Sequence, residues 1–273
     1  MPVLPVSRGR TIVMGVLNVT PDSFADGGQF RATEEALVQA RRLIAEGADI
    51  LDIGAESTRP GSDPVPEQEE LDRAAPVVTT IANEFAVPIS IDTYKPAVAE
   101  ECLKLGATIV NDVTGLRDAA MMKTIKRHGA AAIIMHMRGM PKTMQQDVDY
   151  DDVVSDVRTF LAERIAAARS KGIEEIVIDP GIGFSKTASQ NFQLLRRLQE
   201  FQGLQMPVLI GPSRKSFLGS LASRLPVEDR LEGTIAACCV GALNGAAIVR
   251  VHDVRAVKRA LEVVDAIRFA KAD

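Results

Sequence analysis

The stretch that decides the fold is TIVMGVLNVTPDSFADGG, Thr11–Gly28. Its first eight residues are apolar up to Asn18, with no polar alternation, and such a run reads as a strand buried on both faces. Thr, Pro, Asp, Ser and two glycines then form a loop. The next segment, RATEEALVQARRLIAEGAD, changes period: Leu37, Ala40 and Ile44 share one helical face. Thr33 reads as its cap, Glu34 and Glu35 suit the positive end of the helix dipole, and Gly47 reads as the stop.

This strand, loop and helix recur along the chain. Further buried-strand runs are DILDIG, VPISID, ATIVND, AAIIMH, EIVID, MPVLIG and AAIVRV, which with TIVMGVLN makes eight. Helical patterns between and after them cover Glu67–Phe85, Lys95–Leu105, Asp118–His128, Asp152–Lys171, Gln190–Phe201, Asp229–Asn244 and Val254–Phe269. Eight β/α units in about 250 residues predict an α/β fold, the (β/α)₈ or TIM barrel, as a single domain over residues 1–273. A doubly wound open sheet would have fewer strands and a nucleotide-type glycine turn after the first.

Composition narrows the function classes. With 32 basic and 36 acidic residues, a formal charge of −4 and no basic tract, the chain offers no broad surface for nucleic acid. No apolar run approaches the ~20 residues of a membrane span, and the prolines and arginines of MPVLPVSRGR do not fit a signal peptide, so a cytoplasmic protein is expected. Cys102, Cys238 and Cys239 are an odd set without zinc-site spacing and read as buried free thiols.

A barrel places its chemistry at the C-terminal ends of its strands. Those ends carry Asn18, Asp52, Asp92, Asn111 with Asp112, His136, Asp179, Ser213 with Arg214 and Lys215 just beyond, and Arg250 with His252. An aspartate after a strand is often only a helix cap, and a histidine there is often a satisfied core residue. Their convergence on one rim instead forms a concave polar pocket suited to a heterocycle bearing an anionic group.

Charge divides the rim into two expected subsites. Asp92, Asn111, Asp179 and Lys215 present acceptors and donors matching the edge of a fused aminopyrimidinone. Arg59 in the loop ESTRPGSDPVPEQEE, with Arg250 and His252, forms a cationic set suited to phosphate oxygens. A helix starting near Ser213 in GPSRKSFLG would add free N–H groups for an anion. In DPGIGF the glycines read as a tight turn and the carboxylate as the functional part. No H-E-x-x-H helix or G-x-S-x-G elbow is present, and no lysine lies in a strand run to form a Schiff base.

The motifs GVLNVTPDSFADGG, DIGAESTRPG, SIDTYKP, NDVTGL, MHM, IDPGIGF, SRKS and RVHDV, in this order over roughly residues 12 to 255, resemble the dihydropteroate synthase family of folate biosynthesis. The resemblance implies a transferase that joins 6-hydroxymethyl-7,8-dihydropterin diphosphate to 4-aminobenzoate, releasing pyrophosphate, and that is a sulfonamide target and a homodimer. It implies that Asp92, Asn111, Asp179 and Lys215 hold the pterin, with Gly211 and Phe184 beside it. It places Thr58, Arg59, Arg250 and His252 around the pyrophosphate, Ser213 at the aminobenzoate carboxylate, and Asn18 on Mg²⁺. Arg59, Lys215, Arg250 and Asp26 would carry catalysis, with Asp22 as further support for the metal. Ala55, Tyr94 and Ile182 depart from the family pattern without removing any of these groups, and put loop position and affinity in question. A methyltetrahydrofolate-dependent methyltransferase would not require both loop motifs or SRKS, and a catalytically silent pterin-binding protein would not need the cationic loop and Asn18 beside the pterin set.

Overall fold

The computed structural model describes residues 4–5, 9–19, 28–58, 61–220 and 225–270, with side chains in the first helix from Thr33 onward. Eight parallel strands close into a barrel in sequence order, the last pairing with the first. They are β1 (Ile12–Asn18), β2 (Ile50–Gly54), β3 (Ile89–Asp92), β4 (Ile109–Asp112), β5 (Ala131–Met135), β6 (Ile176–Asp179), β7 (Val208–Ile210) and β8 (Ala246–Val251). The helices between and after them are α1 (Gly28–Ala45), α2 (Glu67–Glu84), α3 (Pro96–Lys104), α4 (Ala119–His128), α5 (Val153–Ser170), α6 (Ala188–Arg196), α7 (Leu231–Leu243) and α8 (Val254–Arg268). The predicted TIM barrel is therefore the observed one.

The apolar strand runs work because both strand faces are buried, each in a different core. Ile12, Met14, Ile50, Ile109, Ile133, Val177, Leu209 and Ile248 pack together inside the barrel. Their neighbours Val13, Leu51, Ile91, Val110, Ile134, Ile178, Ile210 and Val249 pack outward under the helices. Since successive side chains alternate, this parity also fixes which strand-end residues point inward.

Local chemistry explains most helix ends. Asp118 caps α4 by accepting from Ala120 N at 2.7 Å, and Asp152 caps α5 through Val154 N and Ser155 N. Thr187 and Gln190 form a reciprocal capping box on α6. Three expectations need correction. The first helix begins at Gly28, so Thr33 lies inside it; no proline in 28–33 stops the helix from extending back to the glycine. The sixth helix starts at Ala188 because of its capping box and gives way to a 3₁₀ segment over Leu198–Leu204. Beyond β7 no α-helix starts near Ser213: a short 3₁₀ turn, Ser216–Ser220, follows, and α7 begins only at Leu231. The anion-binding helix end expected there is not formed.

Cys102 and Cys238 are buried and Cys239 is half-buried, all as free thiols. Burial pushes Cys102 up to about 12, so it is an inert core group.

Candidate active site

The inward parity of the strands carries Asn18, Asp92, Asn111, Asp179 and Arg250 to the C-terminal mouth, with Asp52 one step deeper on β2. Asp92 and Asn111 are register partners on β3 and β4. Arg250 donates from Nε to Asp52 Oδ2 at 2.5 Å and from Nη2 to Asp92 Oδ2 at 2.6 Å. Asn111 Nδ2 donates to the same Asp52 oxygen at 3.2 Å. These aspartates pair with Arg250 instead of capping helices, the residues before α2 and α3 being Pro66 and Lys95.

This arrangement redraws the expected division by charge. Arg250 does not stand apart with a cationic set; it bridges two carboxylates, because a guanidinium this far inside the barrel needs counter-charges within reach. Burial opposes its charge, but Asp52 and Asp92 more than offset this and keep it protonated. Asp52 was legible as a strand end, yet its part in holding Arg250 and Asn111 was not.

Burial also sets the protonation of the ring-facing groups. Asp92 is pushed up to about 7 by burial, with Arg250 opposing and Asp52 adding to the rise. Among the described residues its Oδ1 is buried without a hydrogen-bond partner. Asp179 is raised by burial too, against the pull of Lys215, and takes the Gly181 N–H at 2.7 Å. Burial brings Lys215 down to about 7, with Asp179 opposing.

Lys215 reaches across from the β7 loop to the β6 loop. Its Nζ donates to the Ile182 carbonyl and lies 4.2 Å from the Phe184 ring centroid. The DPGIGF glycines permit this crossing: at Gly181, φ +72, a Cβ would sit 2.0 Å from His136 O, and at Gly183, φ +85, one would sit 2.4 Å from Lys215 Cδ. Gly211 borders Lys215 and Arg250, a Cβ there making ordinary contact with Lys215 Nζ and Arg250 Cβ at 3.8 Å. Phe184 and Tyr94 pack on Val113, Met135, Met137 and Met144, an apolar wall that sequence patterning did not reveal.

Ser213 and His252 form a second pair at the mouth. Ser213 Oγ accepts from His252 N at 3.2 Å and lies at hydrogen-bond distance, 3.0 Å, from His252 Nδ1. Asn18 ends β1, and a Cβ on Gly54 would lie 3.8 Å from its Oδ1 and 3.7 Å from Asp92 Oδ2, so this amide oxygen borders the same mouth. Thr58 is half-buried at the edge of the second loop, while Arg59, Asp22 and Asp26 lie outside the described residues. Among the described residues no cluster of three or more His, Cys, Asp or Glu side chains could hold a metal.

A buried lysine and a half-buried one complete the surroundings. Lys186 donates to His136 Nδ1 at 3.0 Å, Gly181 O at 3.1 Å and Phe184 O at 2.9 Å, pinning the β6 loop from behind. His136 points out of the barrel beside Phe160, and burial pushes it down to about 2, so it is a neutral, satisfied strand-end histidine. Lys95 joins Glu56 to Glu70, and Tyr94 Oη donates to Glu56 Oε1 at 2.6 Å, which anchors the start of the second loop. Tyr94 thus has a structural place, as do Ala55, whose carbonyl accepts from Arg73 at 3.0 Å, and buried Ile182. Only the combination of burial and tertiary placement distinguishes these lysines from surface charges.

The model of the pterin binding enzyme family matches residues 14–252. The chain belongs to the dihydropteroate synthases within that family. The dihydropteroate synthase of Synechocystis sp. is 45% identical over 275 residues, 97% of this chain and 95% of the relative. The family's fold matches as well: the Xanthomonas albilineans dihydropteroate synthase solved with 4-aminobenzoic acid superposes with a TM-score of 0.90 at 44% identity, covering 96% of this chain and 94% of that one. The Burkholderia cenocepacia dihydropteroate synthase complexed with 7,8-dihydropteroate gives 0.87 at 45% identity, covering 96% and 92%.

Proposed function

We propose that the chain condenses 6-hydroxymethyl-7,8-dihydropterin diphosphate with 4-aminobenzoate to give 7,8-dihydropteroate and pyrophosphate. The observation that carries this reading is the convergence of Asp92, Asn111, Asp179 and Lys215 on one mouth, with an unpartnered buried carboxylate oxygen on Asp92. Relatives of this family solved with 4-aminobenzoic acid and with 7,8-dihydropteroate support it.

In this reading the two aspartates accept from the pterin N–H groups, Asn111 donates and accepts, and Lys215 donates to the ring. The C–O bond from the exocyclic methylene to the diphosphate breaks with its electron pair leaving on pyrophosphate. The aminobenzoate nitrogen then forms the C–N bond and loses one proton. Arg250, with Arg59 and His252 and beside Thr58, stabilises the departing charge. Ser213 receives the aminobenzoate carboxylate, and the Phe184 and Tyr94 wall keeps water from the electrophilic carbon. The aromatic amine is already neutral near pH 7, so no strong base is required.

The residues fit Mg²⁺ in the way expected of an ion that keeps most of its water: Asn18 offers one hard oxygen at the mouth and substrate phosphates would supply the rest. When bound, the ion neutralises charge on the diphosphate. Catalysis in the cytoplasm accords with this role. A homodimer is supported by exposed Val240 and Leu243 on α7 and Val263 and Ile267 on α8, an apolar face on two adjacent helices. Light scattering tests it, a monomer mass counting against. Sulfonamides, which share the aminophenyl group, would compete with 4-aminobenzoate. The defining assay is pyrophosphate release from both substrates with Mg²⁺; pterin binding without release ends this reading and favours a silent pterin-binding protein.

A further inference from the structure

Arg214 stands between two site residues in an unusual backbone state. Its φ of +59° is the left-handed region, which glycine enters freely and an arginine rarely does. Such strain persists only when the surroundings fix it, and here they hold both backbone polar groups and one edge of the guanidinium. The Arg214 N–H donates to Thr234 Oγ1 at 3.0 Å, and its carbonyl accepts from Arg230 Nη1 at 2.9 Å. Its guanidinium makes a two-pronged pair with Asp253, Nε to Oδ2 at 2.9 Å and Nη2 to Oδ1 at 2.5 Å.

That ion pair is half exposed, 41% on the arginine side, so it contributes little to stability by itself. Its geometry matters more. Asp253 follows His252, the residue that Ser213 bonds, and Arg214 lies between Ser213 and Lys215. Clamping Arg214 to Asp253 therefore ties the β7 loop to the β8 loop at the point where both present side chains to the mouth.

We propose that Arg214 is a positioning residue for the condensation: its left-handed backbone and its clamp to Asp253 aim Ser213 at His252 and Lys215 at the β6 loop. This rests on the function proposed above. The bidentate fork explains why arginine occupies a position that glycine would fill without strain, since only arginine offers two parallel donors to one carboxylate.

The test uses R214G, which accepts the backbone angle but deletes the clamp, together with D253N and the double variant. Each single change is expected to lower kcat/KM for 4-aminobenzoate at least tenfold, leave the pterin diphosphate KM within threefold, and keep the thermal midpoint near that of the parent. The double variant is expected to lie within threefold of the worse single, because both remove one device. A second readout does not need turnover: in ¹⁵N-labelled R214G the His252 Nδ1 resonance is expected to move toward that of free imidazole as the Ser213 bond loosens. Parent-like kinetics in both singles, or an unmoved Nδ1 resonance, overturns the proposal. If the parent protein makes no dihydropteroate, the function proposed above fails, while the Nδ1 resonance still decides the clamp.

Discussion

Asp52→Asn probes the least obvious member of the site. Asp52 is fully buried and one of its oxygens receives both Arg250 Nε and Asn111 Nδ2. The amide keeps the shape of the side chain but removes its charge, while Arg250 keeps its second partner, Asp92. The loss is thus one charge-assisted hydrogen bond, about 1.5–3 kcal/mol, and not the larger cost of stranding a buried guanidinium. If the bond matters equally in the transition state, that converts to a fall of roughly 10- to 150-fold in kcat/KM. Asp52 also helps to raise the Asp92 pKa, so its neutralisation shifts the acidic limb of pterin binding to lower pH. Steady-state pyrophosphate release across pH, beside urea unfolding, measures both effects. A variant with kcat/KM within twofold of the parent and an unmoved acidic limb refutes the claim that Asp52 organises Arg250 and Asn111.

Asp179→Ala is expected to weaken pterin affinity by about 10- to 150-fold, as the loss of one charged hydrogen-bonding group would, and an unchanged calorimetric Kd counts against its contact with the ring. Lys95→Met leaves the buried carboxylates of Glu56 and Glu70 facing each other without a cation, so urea unfolding is expected to show a loss of about 3–5 kcal/mol; an unmoved midpoint contradicts the anchoring role. Asp92 keeps its proton in the fold up to about 7, whereas the unfolded chain loses it near 3.8, so its contribution makes stability fall as pH rises through that window. Lys215 gives the opposite slope: the unfolded chain holds its proton to about 10.5, the fold releases it near about 7, and stability rises with pH between them. Asp92→Asn should remove the fall and Lys215→Met the rise; parent-like profiles show that these groups are not buried as described.

The barrel was legible because parallel strands buried on both faces leave continuous apolar runs, and most of the eight runs ended at or within a few residues of a group whose polarity broke the pattern. Asp92, Asn111 and Asp179 could be read at those ends, since strand parity alone delivers them to the mouth. The loop contributions were less legible. Ser213 suggested a helix start, but its hydroxyl is engaged by His252, 39 residues away, and the chain makes a 3₁₀ turn where a helix was expected. Lys186 and Lys95 carry no periodic signal: each is defined by acceptors brought from other segments. The bridge from Arg250 to Asp52 and Asp92 depends on barrel closure, which places β8 beside β1 and lets one guanidinium span to β2 and β3.

The most direct test of the central claim is a crystal structure of the chain with pterin diphosphate, Mg²⁺ and 4-aminobenzoate. The account predicts the pterin edge against Asp92, Asn111, Asp179 and Lys215, with the Asp92 oxygen that lacks a partner receiving a ring N–H. It also predicts the diphosphate beside Arg250 and Asn18. A pterin bound away from the barrel mouth, with these side chains still making only their mutual contacts, would contradict it.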